Sequence, residues 1–184
     1  MAYRFLQLVL VFALAPFTAH AADVELRSGD IVLLRHASAP GVGDPPGFKL
    51  DDCATQRNLS DAGRAEARRF GEEMKRRGVR IGAVLTSQWC RTRDTAKLAF
   101  PGIAARDEPS FNSWFGQVPV ESEGELKKAR DVLRRWSGPG VLVVVSHQIN
   151  IHAITGVPTA SAEAVVVRKD AKGELAVAGT IQAP

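Results

Sequence analysis

Residues Val32–Pro40 read "VLLRHASAP", an apolar run that ends abruptly in an arginine and a histidine. Preceded by Ile31 and the turn pair Gly29-Asp30, the run has the length and branching of a short buried strand. Buried strands of this kind belong to α/β sheets, and such sheets bind ligands beyond the carboxyl ends of their strands. Arg35 and His36 stand at such an end. Their neighbours at other strand ends decide whether they work there.

Two further strands are expected. Ile81–Thr86 is one, and Val141–Val145 is an uninterrupted aliphatic run, the pattern of a strand covered on both faces. Helical spacing fills the intervals. Ser60 reads as an N-cap with Asp61 in the first turn, Ala67, Phe70 and Met74 form a core face, and Gly78 ends the helix. A second helix runs from about Gln88 to Ala99 and stops before Pro101. Glu121–Trp136 is a third, broken by Gly138-Pro139-Gly140, and Gln148–Thr155 a short fourth. Residues 101–120, with the aromatic cluster "FNSWFG", read as irregular. Glu163–Arg168 and Glu174–Ile181 form a terminal hairpin across Asp170–Gly173. Strands alternating with helices predict a three-layer α/β fold with a mainly parallel sheet.

At 184 residues, 45% hydrophobic and 24% charged, the chain has the composition of one globular domain. Its first 21 residues differ from the rest. Arg4 is their only charge, an apolar stretch follows, and Ala19-His20-Ala21 is a small-x-small cleavage site, which is the layout of a secretory signal peptide. The apolar run before Pro16 falls short of the ~20 residues that a spanning helix needs. The expectation is therefore a signal peptide at 1–21, a single domain at 22–184, no membrane span after cleavage, and a periplasmic or secreted protein. One of the 24 basic residues and none of the 20 acids falls in 1–21, so the mature balance is 23 against 20, or +3. That suits an anionic ligand but is too diffuse for nucleic acid, and no aromatic-basic interleaving supports one. Export with an even cysteine count invites a Cys53–Cys90 disulfide, two reduced buried thiols being the alternative.

The three strand ends bring together Arg35 and His36, then Ser87 with Arg91 one helical turn on, then Ser146 and His147. Arginine forks match phosphate oxygens bidentately. Imidazole is a nucleophile when neutral and a double donor when charged. The set makes a phosphoryl-transfer site that needs no metal.

These same residues resemble the histidine phosphatase superfamily, the phosphoglycerate mutase-like fold. Arg35-His36 is similar to its Arg-His-Gly signature, and "NLSDAGRAEA" (Asn58–Ala67) to its "pLT..G..QA" helix start. "TSQWCRTRDTA" (Thr86–Ala96) resembles "SSpl.Ra.qTA", which sets Arg91 on the second pocket arginine. "VVVSHQINI" (Val143–Ile151) is similar to the second-histidine strand. Among members, small exported size resembles the short phosphohistidine phosphatases and the lipopolysaccharide-core heptose phosphatases. The resemblance implies one antiparallel strand in the sheet and no cofactor. It also implies that His36 attacks phosphorus to become a phosphohistidine, while Arg35, Arg91 and His147 hold the phosphoryl oxygens. The expected partner is a phosphorylated small molecule or an envelope glycolipid.

Two departures stand out. Ala37 replaces the usual glycine, and Ser113 falls where many members carry a catalytic glutamate. A serine cannot protonate an alkoxide leaving group at neutral pH. The best-placed substitute is Glu163, because the antiparallel strand it opens would start at the pocket edge, with Asp44 second. The loop 37–58 is expected to cover the pocket, and its Asp44, Lys49, Asp51, Asp52 and Arg57 are candidates for reading the substrate beyond the phosphate. Two rival readings are a non-catalytic phosphate-binding or regulatory module and a zinc site from His36, His147, Cys53 and Cys90. The latter lacks any local C-x-x-C or H-x-x-x-H spacing.

Overall fold

The run that opens the sequence argument is a strand, β1 (Ile31–Arg35), in the computed structural model, which describes residues 24–116 and 119–183. The expected signal peptide at 1–21 lies outside the described residues. Ile31, Val32, Leu33 and Leu34 are each at most 1% exposed, and burying side chains of this size contributes ~1.5–3 kcal/mol apiece. Burial on both faces needs cover on both sides, and the alternation of side chains supplies it. Val32 and Leu34 enter one core with Phe70, Met74 and Ala96. Ile31 and Leu33 enter the other with Phe111, Leu133 and Ile151.

Apart from Phe111, which ends a 3-10 turn at Pro109–Phe111, those partners come from four helices: α1 (Asp61–Arg76), α2 (Cys90–Ala99), α3 (Pro119–Arg135) and α4 (Gln148–Thr155). α1 and α2 cover one face of the sheet, α3 and α4 the other, which makes the three layers. The remaining strands are β2 (Ile81–Thr86), β3 (Arg106–Asp107), β4 (Val141–Ser146), β5 (Glu163–Lys169) and β6 (Leu175–Gln182), in the order β3-β2-β4-β1-β5-β6. Pairings from β3 through β1 are parallel. β5 runs antiparallel to both β1 and β6, so it is the one reversed strand.

β3 was not expected, since 101–120 read as irregular. Two residues carry no periodicity. This strand exists through its partners: it pairs Asp107 with Thr86, and Arg93 from α2 grips the Asp107 carboxylate at 2.5 Å. The terminal hairpin forms as expected, and β6 starts one residue late.

Register places the site. Arg35 lies beside Ser146 and Thr86 beside Val145, so β2, β4 and β1 end level with one another. The ladder even continues one step past each strand: His36 N–H donates to the Ser146 carbonyl, and Ser87 N–H to that of Val145. Because Ala164 pairs with Leu34, reversed β5 begins at this same edge.

Candidate active site

The backbone after β1 is gripped from two helices. α1 starts on its Ser60 cap, whose Oγ accepts from Gly63 N–H at 3.0 Å. One turn later Glu66 accepts from both the N–H and the hydroxyl of Ser38, at 2.9 and 2.8 Å. Gly63 permits this approach, because a Cβ there would lie 2.0 Å from the Ser38 carbonyl oxygen. From α2, Thr95 Oγ1 accepts from Ala37 N–H at 3.1 Å. Ala37 itself is fully buried against Leu59, Ala67 and Ala162, so the usual glycine is replaced without loss of fit.

His36 is thereby set in one tautomer. Its Nδ1 lies 2.8 Å from the Ala37 carbonyl, which can only accept, so Nδ1 carries the proton and Nε2 keeps its lone pair. Burial pushes the His36 pKa down to about 3, and the cations Arg91, Arg57 and Arg35 push the same way against the Ala37 hydrogen bond. His36 is a neutral imidazole with a free Nε2 at any physiological pH.

His147 follows β4, its ring centroid 5.4 Å from that of His36. Nε2 meets the Ser87 hydroxyl at 2.9 Å, while Nδ1 is buried without a partner. Burial lowers this pKa well below the ordinary value, with His36 and the same three arginines adding to it. Arg35 donates through Nη1 to the Thr159 carbonyl at 2.7 Å, leaving its Nε buried and unpaired. Arg91 is 2% exposed and its Nε is unpaired too. Buried donors cost free energy unless something pairs them. Arg35, His36, Arg91 and His147 all line one cavity of about 680 Å³, and two guanidiniums beside two imidazoles make it a place for an anion with several acceptor oxygens.

The covering loop contributes more than the sequence revealed. Asp44 pairs with Arg91 at 2.8 Å, and its carboxylate also accepts from Trp89 Nε1–H at 2.9 Å and Arg57 N–H at 3.0 Å. Burial alone would raise the Asp44 pKa. The hydrogen bonds from Arg91, Arg57 and Trp89 outweigh it and hold the carboxyl below its usual range. Asp44 is also the single carboxylate among the described residues that line the cavity. Trp89 packs edge-on to His147, centroids 5.3 Å apart, and its role went unread, although an aromatic between Ser87 and Arg91 was the available signal.

Other expected residues sit elsewhere. Lys49, Asp51 and Asp52 do not line the cavity: Asp52 caps a 3-10 turn at Cys53–Thr55, and Lys49 bridges back to it. Glu163 opens β5 at the right edge, and its charge acts on Arg35, but its carboxylate accepts from Ala160 N–H at 2.7 Å and does not line the cavity. Ser161, two residues earlier, does. Between them Ala162 has a φ of 54°, a left-handed conformation that alanine adopts only under constraint. Ser113 lines the cavity, on a segment tied to α4 by Asn150 Nδ2, which donates to the Asn112 carbonyl. Cys53 and Cys90 are joined in a disulfide, so neither sulfur is a thiolate to hold zinc.

Comparison with known structures finds this architecture repeatedly. The alpha-ribazole phosphatase of Shigella flexneri superposes with a TM-score of 0.61 at 14% identity, over 84% of this chain and 96% of its own. The protein histidine phosphatase SixA, complexed with tungstate, gives 0.58 at 18%, over 83% and 96%. An open reading frame product of Mycobacterium tuberculosis gives 0.58 at 20%, over 82% and 96%. Identities this low speak for the fold alone. No curated protein matches the chain significantly. The sequence profile of branch 1 of the histidine phosphatase superfamily matches residues 31–139, more than half of the chain. With the reversed β5, the level strand ends and the two facing histidines already in place, this chain belongs to the histidine phosphatase superfamily, branch 1.

Proposed function

We propose that this chain is a metal-independent phosphomonoester hydrolase of the cell envelope, working through a phosphohistidine on His36. One observation carries the reading: a neutral imidazole with Nε2 free stands in a cavity whose Arg35, Arg91 and His147 hold unpaired buried nitrogens. Nε2 attacks phosphorus, the ester P–O bond breaks, and the leaving oxygen takes a proton. Charge building on the phosphoryl oxygens meets Arg35, Arg91 and His147, donors already oriented before reaction. Water then attacks phosphorus, giving a proton to the carboxylate that protonated the leaving oxygen, and the P–N bond breaks to yield inorganic phosphate and free His36. Tungstate, an oxyanion of the same charge type, is the ligand in the SixA structure. The envelope location rests on the layout of residues 1–21 and on the disulfide. Among the described residues no helix is long and apolar enough to cross a membrane. The substrate is a phosphorylated small molecule or an envelope glycolipid.

For the leaving-group proton we assign Glu163. Asp44 lines the cavity but is held as a carboxylate by three donors. Glu163 accepts from Ala160 N–H and lies outside the lining, so in this role its side chain turns from that contact toward Arg35 when substrate binds.

The test is chemical. An alkaline denaturing quench during turnover of a phosphomonoester should trap a base-stable, acid-labile phosphoprotein, insensitive to chelators and abolished by vanadate. His36→Ala should trap none. Label persisting in that variant overturns the nucleophile assignment, and phosphate binding with no turnover would leave a binding module.

A further inference from the structure

The mouth of the cavity is apolar where the sequence promised charge. Five large hydrophobic side chains are exposed among the described residues: Val42, Ile103, Phe115, Ile149 and Val177. Single exposed hydrophobics are ordinary on any surface. Here, however, Val42, Phe115 and Ile149 all line the one cavity that holds His36, at 88%, 62% and 42% exposure. They come from three segments remote in sequence: the covering loop, the stretch after β3, and the first turn of α4.

Backbone geometry presents them. Val42 sits between Gly41 and Gly43, both in the left-handed region at φ 90° and 70°. The Phe115 ring rests on Gly43, 3.6 Å from where a Cβ would stand. Loop tip and aromatic ring therefore meet at the rim. Deeper in, Phe48 packs on Trp89 with centroids 5.7 Å apart, and both line the cavity.

The charged groups at the rim are largely engaged with the protein itself. Arg57 has Nε and Nη1 on the Gly43 and Ala39 carbonyls, Asp44 is held on Arg91, and the loop's Lys49, Asp51 and Asp52 are elsewhere. Ser113, Gln148, His152 and Ser161 remain. A polyhydroxylated leaving group needs a donor or acceptor for each hydroxyl taken out of water, whereas Val42, Phe115 and Ile149 offer it none.

Resting on the phosphatase reading above, we propose that the natural substrate is a phosphomonoester whose leaving group is apolar from close to the ester oxygen, a hydrocarbon chain or ring. Its phosphate sits on Arg35, Arg91 and His147, and its apolar body lies along Phe115, Ile149, Val42 and Phe48. Sugar phosphates and phosphorylated polar side chains fit this mouth poorly.

The experiment uses non-hydrolysable probes, so that it does not depend on turnover. Binding of methyl-, butyl- and octylphosphonate to the full mature chain is measured by calorimetry. Affinity should rise about 2–4-fold per methylene over the first carbons, the scale of one buried methylene. Phe115→Ser and Ile149→Ser should each flatten that dependence, while Val177→Ser, on β6 away from the cavity, should keep the wild-type slope. Phenylphosphonate against hexylphosphonate separates a ring from a chain. A flat series, or glucose 6-phosphate competing better than butylphosphonate, overturns the proposal while leaving the phosphate site intact. Failure of even inorganic phosphate and methylphosphonate to bind overturns the phosphate site itself. A rising phosphonate series without any phosphomonoester hydrolysis would support the mouth and sink the enzyme.

Discussion

His147 and His36 have similar burial, yet their hydrogen bonds differ, and under the proposed phosphohistidine chemistry that difference separates their roles. The Ala37 carbonyl fixes the proton of His36 on Nδ1 and frees Nε2, whereas Ser87 occupies Nε2 of His147 and Nδ1 is buried without a partner. The acid is the residue whose role separates most sharply by substrate. Glu163→Gln should slow hydrolysis of alkyl phosphates by ~10²–10⁴-fold, the scale of general acid catalysis, and barely touch aryl phosphates, which leave unaided. Equal losses on both would make Glu163 a positioning residue for Arg35. No loss on either would move the role to Asp44, whose carboxyl could be protonated only once an anion competes for Arg91. In that case Asp44→Asn should show the alkyl-selective defect instead.

At the scale of elements, the covering loop is held by few contacts with large consequences. The disulfide closes a span of 37 residues from the loop's 3-10 turn to the first residue of α2, immediately before Arg91. Chain entropy assigns such a closure roughly 3–4 kcal/mol. Gln56 strengthens the same seam by accepting from Cys90 N–H at 2.9 Å. Reduction should lower the thermal midpoint and cut activity together, since Asp44 and Arg57 ride on this loop. Unchanged activity after complete reduction would show that the loop holds its place without the bond. Legibility in the sequence divides along the same line. β1 and β4 were readable because burial on both faces leaves uninterrupted aliphatic runs, and α1 because Ser60, Phe70, Met74 and Gly78 mark cap, face and end. Arg35, His36, Arg91 and His147 were readable as a group at strand ends: Arg35 closes β1, His36 and His147 directly follow β1 and β4, and Arg91 lies one helical turn past Ser87. The Asp44 contacts to Arg91 and Trp89 span 47 and 45 residues through a loop with no period. Nothing local encodes them, and the same is true of the apolar rim, whose members share a surface but no motif.

On the scale of the whole molecule, the fold pays for its active site in proton affinity. The level ends of β1, β4 and β2 bury two histidines among three arginines at one sheet edge. In the unfolded chain both imidazoles take up protons near pH 6.5, but the folded state keeps His36 neutral down to about pH 3 and His147 neutral well below 6.5. The unfolded state thus binds more protons throughout that window, so stability must fall as pH falls through it. Each group contributes a slope approaching ~1.4 kcal/mol per pH unit. Urea melts at pH 7, 6.2 and 5.5 should show progressive loss above the range where carboxylates titrate. A bound oxyanion should offset part of it, both by mass action and by giving charged imidazoles a partner. Replacing both histidines by glutamine should flatten the dependence between pH 7 and 5.5 while the carboxylate-driven loss below pH 4 persists. Wild-type stability that holds level from pH 7 to 5.5 would mean that the two imidazoles titrate as if exposed. The neutral nucleophile on which the phosphohistidine chemistry depends would then be lost as well.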